Sequence, residues 1–181
     1  MNMHVEKPVV DYFLRATKWL SGAGAVLAGL AFALMTVLIL AEVLLRTFLG
    51  KSTLIASEYS GYMLAAMIYL GLAYSFSQKA HIRITFMKER LSGRPLHILE
   101  LFCTAIAAVL CALSTWFLWD MVEVSFVRGA TAYTVAETPL WIPQLVILVG
   151  MSMMTIQVLA YFLYLVFSGV KDVDGNMVDY L

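Results

Sequence analysis

The chain has 181 residues, of which 62% are hydrophobic and 13% charged, with a mean hydropathy of +0.86. Soluble domains carry about 25% charged residues, so this composition excludes an ordinary soluble domain and points to an integral membrane protein. A formal charge of zero, with no basic run interleaved with stacking aromatics, argues against nucleic acid as a partner.

After Pro8, Asp11, Arg15 and Lys18 recur at i, i+4 and i+7 on an otherwise apolar segment. One polar stripe of this kind predicts a short interfacial helix over about 9–18. A solvated leader would leave Val9, Val10, Tyr12, Phe13 and Leu14 in water. Trp19 to Ala41 carries no charge and exceeds the roughly 20 residues needed to cross a bilayer, giving a first span of about 19–45. A cleaved secretory signal is disfavoured, because its apolar core runs to only about 7–15 residues. Ala25, Gly29 and Ala33 form a small-xxx-small row on this span, the spacing that lets helices approach closely in lipid. The row is a candidate interhelix or intersubunit contact.

Glu42 and Arg46 close the first span at i, i+4 and can pair. Arg46 can instead answer Glu58 across the short loop. Glu58 opens the second span, about 56–78, which is uncharged from Tyr59 to Gln78 and runs into Lys79, His81 and Arg83. A third span covers about 97–120. The fourth covers about 141–167, its start set by Pro139 and Pro143. Asp120, Glu123, Arg128 and Glu137 are placed in the connection between them. These charges either mark where helices leave the membrane or form a polar rim that meets a soluble partner.

The predicted fold is all-α: one membrane domain over 1–181, with four transmembrane helices and the short N-terminal interfacial helix. Of the 12 Lys and Arg, nine fall before the first span, between the second and third, or after the fourth, and three on the opposite side. The positive-inside rule then puts both termini in the cytoplasm. Arg15, Lys18, Lys79, Arg83, Lys88 and Arg90 become candidate anchors to lipid headgroups.

Chemistry is sparse. Carriers and proton relays place ionisable groups deep in the bilayer, and the uncharged stretches contain none. His4, His81 and His97 are too peripheral for a buried bis-His haem. Cys103 and Cys111 lie eight positions apart on one helix, about 12 Å along its axis and beyond disulfide reach. No nucleophile-base constellation or metal set can be assembled from these spans, while His/Met haem ligation stays open with 11 Met residues.

The residues from "LLRTFLGKSTLIASEYSGYMLAAMIYLGLAYSFSQKAHIRITFMKERL" to "TPLWIPQLVILVG" carry a resemblance. An Arg closes the first helix (Arg46), a Glu opens the second (Glu58), and Gly71 lies mid-helix. A His81-Ile82-Arg83-Ile84 step follows, then Thr138-Pro139-Leu140 with Ile142 and Pro143, and Gly150 beyond. In that order on a four-span chain, they resemble the DctQ-type small membrane subunit of tripartite ATP-independent periplasmic (TRAP) transporters. The chain departs from the usual pattern at Ile55, Ser57 and Thr85, and lacks the Pro common shortly before Gly150.

The resemblance implies a multi-pass protein of a bacterial or archaeal inner membrane. Its partners would be a large multispan membrane subunit and a periplasmic substrate-binding protein, besides membrane lipids. Sodium coupling would reside in the large subunit, with no cofactor in the small one, and the solute would be a carboxylate. The small subunit would be a scaffold, with Glu42, Arg46, Glu58, Thr138, Pro139 and Pro143 as interface candidates beside Ala25, Gly29 and Ala33. The competing readings are a membrane anchor of a respiratory enzyme and an independent small homo-oligomeric carrier.

Overall fold

The computed structural model describes residues 7–88 and 94–168, folded as four helices: α1 (Lys7–Leu49), α2 (Ala56–Lys88), α3 (Arg94–Val127) and α4 (Trp141–Ser168). Among the described residues the only extended pairing is a single antiparallel bridge between Thr131 and Pro139. Among the described residues, three helices contain stretches long and apolar enough to cross a membrane: Trp19–Leu49, Pro95–Val127 and Trp141–Val166.

Three features depart from the sequence reading. First, α1 runs unbroken for 43 residues, so the 9–18 segment is the first part of the spanning helix and not a separate one. No Pro stands between Val9 and Leu49 to stop it. At 1.5 Å per residue α1 is about 65 Å long, roughly twice the hydrocarbon thickness.

Second, α2 is a 33-residue helix but is absent from the set of sufficiently apolar stretches. Tyr59, Tyr62, Tyr69 and Tyr74, with Ser60, Ser75 and Gly71, dilute its aliphatic content. Third, α3 continues past Trp119, so Asp120 and Glu123 lie on its last turns and not in a connection. Charge ends an apolar run without ending a helix. The stop comes at Gly129, whose φ of 59° supplies the left-handed residue of a Schellman cap, with Ala130 N–H donating to the Ser125 carbonyl at 3.0 Å. Gly50, at φ 60°, follows the end of α1 in the same left-handed conformation.

The helices pack in the spatial order α1, α2, α4, α3, with a smaller direct contact between α1 and α4. Burial on α1 follows Thr17, Ser21, Gly24 and Ala28, continuing half-buried through Ala31, Met35, Leu38, Glu42 and Leu45. Steps of alternately four and three residues make a heptad seam, the pattern of left-handed knobs-into-holes packing. On α3 the same alternation runs through Thr104, Ala108, Cys111, Thr115, Leu118, Val122 and Ser125. Each flanking helix thus commits one narrow stripe to the bundle. The apolar windows of α1 and α3 are only 11% buried, against 39% for α4. The remaining apolar surface of both faces outward.

Candidate functional site

Two places concentrate polar or close contacts: the end of the bundle where α1 meets α2, and the waist.

At the first, the loop after α1 folds back on Glu42. Ser52 Oγ donates to Glu42 Oε1 at 2.5 Å, and Thr53 donates to Oε2 through its backbone N–H at 3.1 Å and its hydroxyl at 2.5 Å. Arg46 contacts Glu42 Oε1 at 3.7 Å and donates to Ser52 Oγ at 3.3 Å. The expected i, i+4 pair is therefore present, but short bonds from the loop hold the carboxylate more tightly than the arginine does. The alternative pairing of Arg46 with Glu58 does not form. Glu58 instead accepts from Tyr62 OH at 2.8 Å and from Thr134 Oγ1, in the connection between α3 and α4. In the first turn of α2, its charge also complements the helix dipole.

That connection is a tight hairpin. Ala132 N–H donates to the Thr138 carbonyl at 2.9 Å and Leu140 N–H to the Ala130 carbonyl at 3.0 Å. These bonds flank the Thr131–Pro139 bridge. Thr138 Oγ1 reaches Tyr59 OH at 3.4 Å, and Trp141 meets Phe126 edge-to-face at 5.6 Å between centroids. At the tip Tyr133 and Val135 are exposed. Glu137 sits at φ 45°, a conformation that a non-glycine residue holds only when its surroundings impose it.

At the waist α2 is gripped from two sides. A Cβ on Gly24 of α1 would lie 2.6 Å from the Leu70 carbonyl oxygen. One on Gly150 of α4 would lie 2.5, 2.6 and 2.8 Å from backbone atoms of Tyr69 and Leu70. Only hydrogen fits at either point. Polar bonds lie beside this pinch. Ser21 Oγ donates to Gln157 Oε1 at 3.1 Å between α1 and α4, with Gln157 only 3% exposed. The hydroxyls of Thr115 and Thr155 meet at 2.8 Å between α3 and α4. Toward the Arg94 end, Leu96, Tyr161 and Leu165 form the apolar core with Phe76 and Leu101.

The structure thus gathers Glu42, Arg46, Glu58, Thr138 and Pro139 at one end of the bundle, and puts Pro143 in the first turn of α4. It does not place the Ala25, Gly29 and Ala33 row at the helix seam. Ala25 is half-buried, while Gly29 and Ala33 are exposed and nothing lies within 4 Å of a Cβ built on Gly29. The packed small residues are Gly24 and Ala28, one position earlier, because the heptad phase of α1 turns that stripe inward. The side chains of Arg15, Lys18, Lys79, Arg83 and Lys88, and the whole of Arg90, lie outside the described residues. Sequence reasoning missed Ser52, Thr53 and Thr134, which carry no motif, and Gln157, whose mid-span polarity was a usable signal.

A family model described as "Tripartite ATP-independent periplasmic transporters, DctQ component" matches residues 35–168. The chain belongs to the DctQ family. The resemblance seen in the motifs is therefore borne out, and the protein is a component of a TRAP transporter. Comparison with curated proteins and with solved structures found no match. Within this DctQ chain the matched stretch takes in Glu42, Arg46, Glu58, Thr134, Thr138 and Gly150. It begins after Ser21 and Gly24, so the α1 half of the waist lies outside it.

Proposed function

We propose that this DctQ subunit is a static brace. It spans the inner membrane four times with both termini in the cytoplasm, and supports a large multispan subunit that carries a carboxylate solute with sodium. The observation that carries this reading is the gripped waist: α2 is held between Gly24 and Gly150 at backbone contact, which leaves α1, α2 and α4 no room to slide past one another. An element that moved solute would need ionisable or ion-coordinating groups in its interior. At the waist the polar contacts between helices are neutral hydroxyl and amide bonds, and the buried acid Glu100 lies away from it, toward the Arg94 end of α3.

On this reading α2 counts as a span despite its lower hydropathy. It packs between α1 and α4, with Tyr59, Ser60, Tyr62, Tyr69 and Ser75 half-buried and Tyr74 exposed. The Glu42 and Glu58 end faces the periplasm, where its hairpin helps dock the substrate-binding protein. The exposed row of Gly29 and Ala33 is then free for the large subunit.

Reconstitution tests the division of labour. Proteoliposomes holding this chain alone are expected to take up no solute under a sodium gradient. Those holding it with the large subunit and the binding protein are expected to take up a carboxylate. Sodium-driven uptake by the chain alone would replace the brace with an independent carrier.

A further inference from the structure

We propose that the pocket between the end of α1 and the start of α2 holds the phosphodiester headgroup of a single membrane glycerophospholipid, with Arg46 as the phosphate-binding residue. The pocket has a volume of about 240 Å³ and is lined by Glu42, Val43, Arg46, Ser52, Leu54, Ala56 and Ser57. Its walls are of two kinds: apolar at Val43, Leu54 and Ala56, polar at the remaining positions. It opens where the uncharged run of α1 ends, the depth at which a lipid changes from acyl chain to headgroup.

The charges favour a phosphate. Glu42 is the only acid in the lining, and its two oxygens are already occupied by Ser52 and Thr53. Its side chain is 13% exposed, whereas that of Arg46 is 70% exposed. Arg46 has five N–H donors, yet its contacts are one ion pair at 3.7 Å and one hydrogen bond at 3.3 Å. Charge-assisted bonds from a guanidinium settle near 2.7–2.9 Å. Most of its bonding capacity is therefore unspent and accessible. Lys51 adjoins Ser52 and Glu58 adjoins Ser57, so the rim carries two cations and two carboxylates, both carboxylates already hydrogen-bonded within the protein.

The tail also has a place. Ile39, Val43 and Arg46 recur at i, i+4 and i+7, so one exposed apolar strip leads from the guanidinium toward the middle of the span. Leu54 flanks the headgroup position from the other side. It is held exposed at φ 60°, a left-handed conformation that disfavours a leucine side chain. A lipid seated there would cover Leu54 and Val43 together. The site requires only that α1 crosses the membrane, so it does not depend on the brace reading or on which face is periplasmic.

Native mass spectrometry of the full-length chain, with any subunits that accompany it, provides the test. The protein is equilibrated with dioleoyl phosphatidylglycerol and then stripped progressively with detergent. The wild type is expected to keep one lipid after the rest have gone. Arg46→Gln is expected to lower that retained fraction about tenfold, the loss of one charge-assisted hydrogen bond, and Arg46→Lys to lower it less. Arg128→Gln removes a cation outside the pocket lining and is expected to retain the lipid as the wild type does. Dioleoylglycerol, which lacks the phosphate, is expected not to be held. Equal retention by Arg46→Gln, or equal retention of dioleoylglycerol, would overturn the proposal. Displacement of the lipid by millimolar inorganic phosphate would also overturn it, assigning the pocket to a free anion.

Discussion

The waist and the rim of this protein hold the same helices together by opposite means. At the waist, Gly24 and Gly150 bring backbones into contact by removing side chains. At the rim, Glu42 and Glu58 bridge larger gaps by accepting from loop hydroxyls and one loop amide. Close packing in lipid depends on dispersion, which is lost steeply when backbones are pushed apart. Hydrogen bonds at an exposed end compete with water and can be remade there. The waist should therefore be intolerant and the rim forgiving, and that contrast can be broken experimentally.

The largest effect is expected for Gly150→Ala, whose methyl group would overlap three backbone atoms of α2. A loss of about 3 kcal/mol in unfolding free energy is expected, the upper part of the range for overpacking, measured by denaturation in detergent with helicity as the readout. Gly24→Ala meets one carbonyl oxygen and is expected to cost about 2 kcal/mol. Ser21→Ala removes the bond to Gln157, and interhelical bonds of this kind in membranes average about 0.6 kcal/mol.

At the rim, Glu58→Gln is expected to leave the unfolding midpoint unchanged but to speed hydrogen exchange at the Ala132 and Leu140 amides, whose bonds close the hairpin. Unchanged exchange there would mean that the Thr134 contact does not hold the hairpin. Gly29→Ala is expected to change stability by less than about 0.5 kcal/mol, because its Cβ would enter open space. If it nevertheless lowers recovery of the large subunit, that face of α1 is the subunit contact.

Helix positions were legible because uncharged runs of this length admit few alternatives, and the ordered signals from Arg46 to Gly150 were enough to place the family. The contact phase of α1 was not. Gly22, Ala23, Gly24, Ala25, Ala28 and Gly29 are all small and crowd two turns, so small-xxx-small spacing can be drawn on several faces. Only the continuation of the heptad through Met35, Leu38 and Glu42 decides between them. The partner of Glu58 was equally hidden, since Thr134 lies 76 residues away in a segment with no motif. The pairing of Arg46 with Glu58 failed for a local reason: Ser52 and Thr53 turn back to Glu42 and leave Arg46 beside them. Gly150 was visible as a family glycine, but its role required knowing that α4 crosses α2 there.

On the proposed brace reading, this chain supports a larger subunit and does not work alone. A mild-detergent pull-down of the tagged full-length chain from its native membrane, with identification of the chains that accompany it, tests this most directly. One large multispan membrane subunit is expected in stable association. Recovery of the chain by itself, or with a redox enzyme, would contradict it.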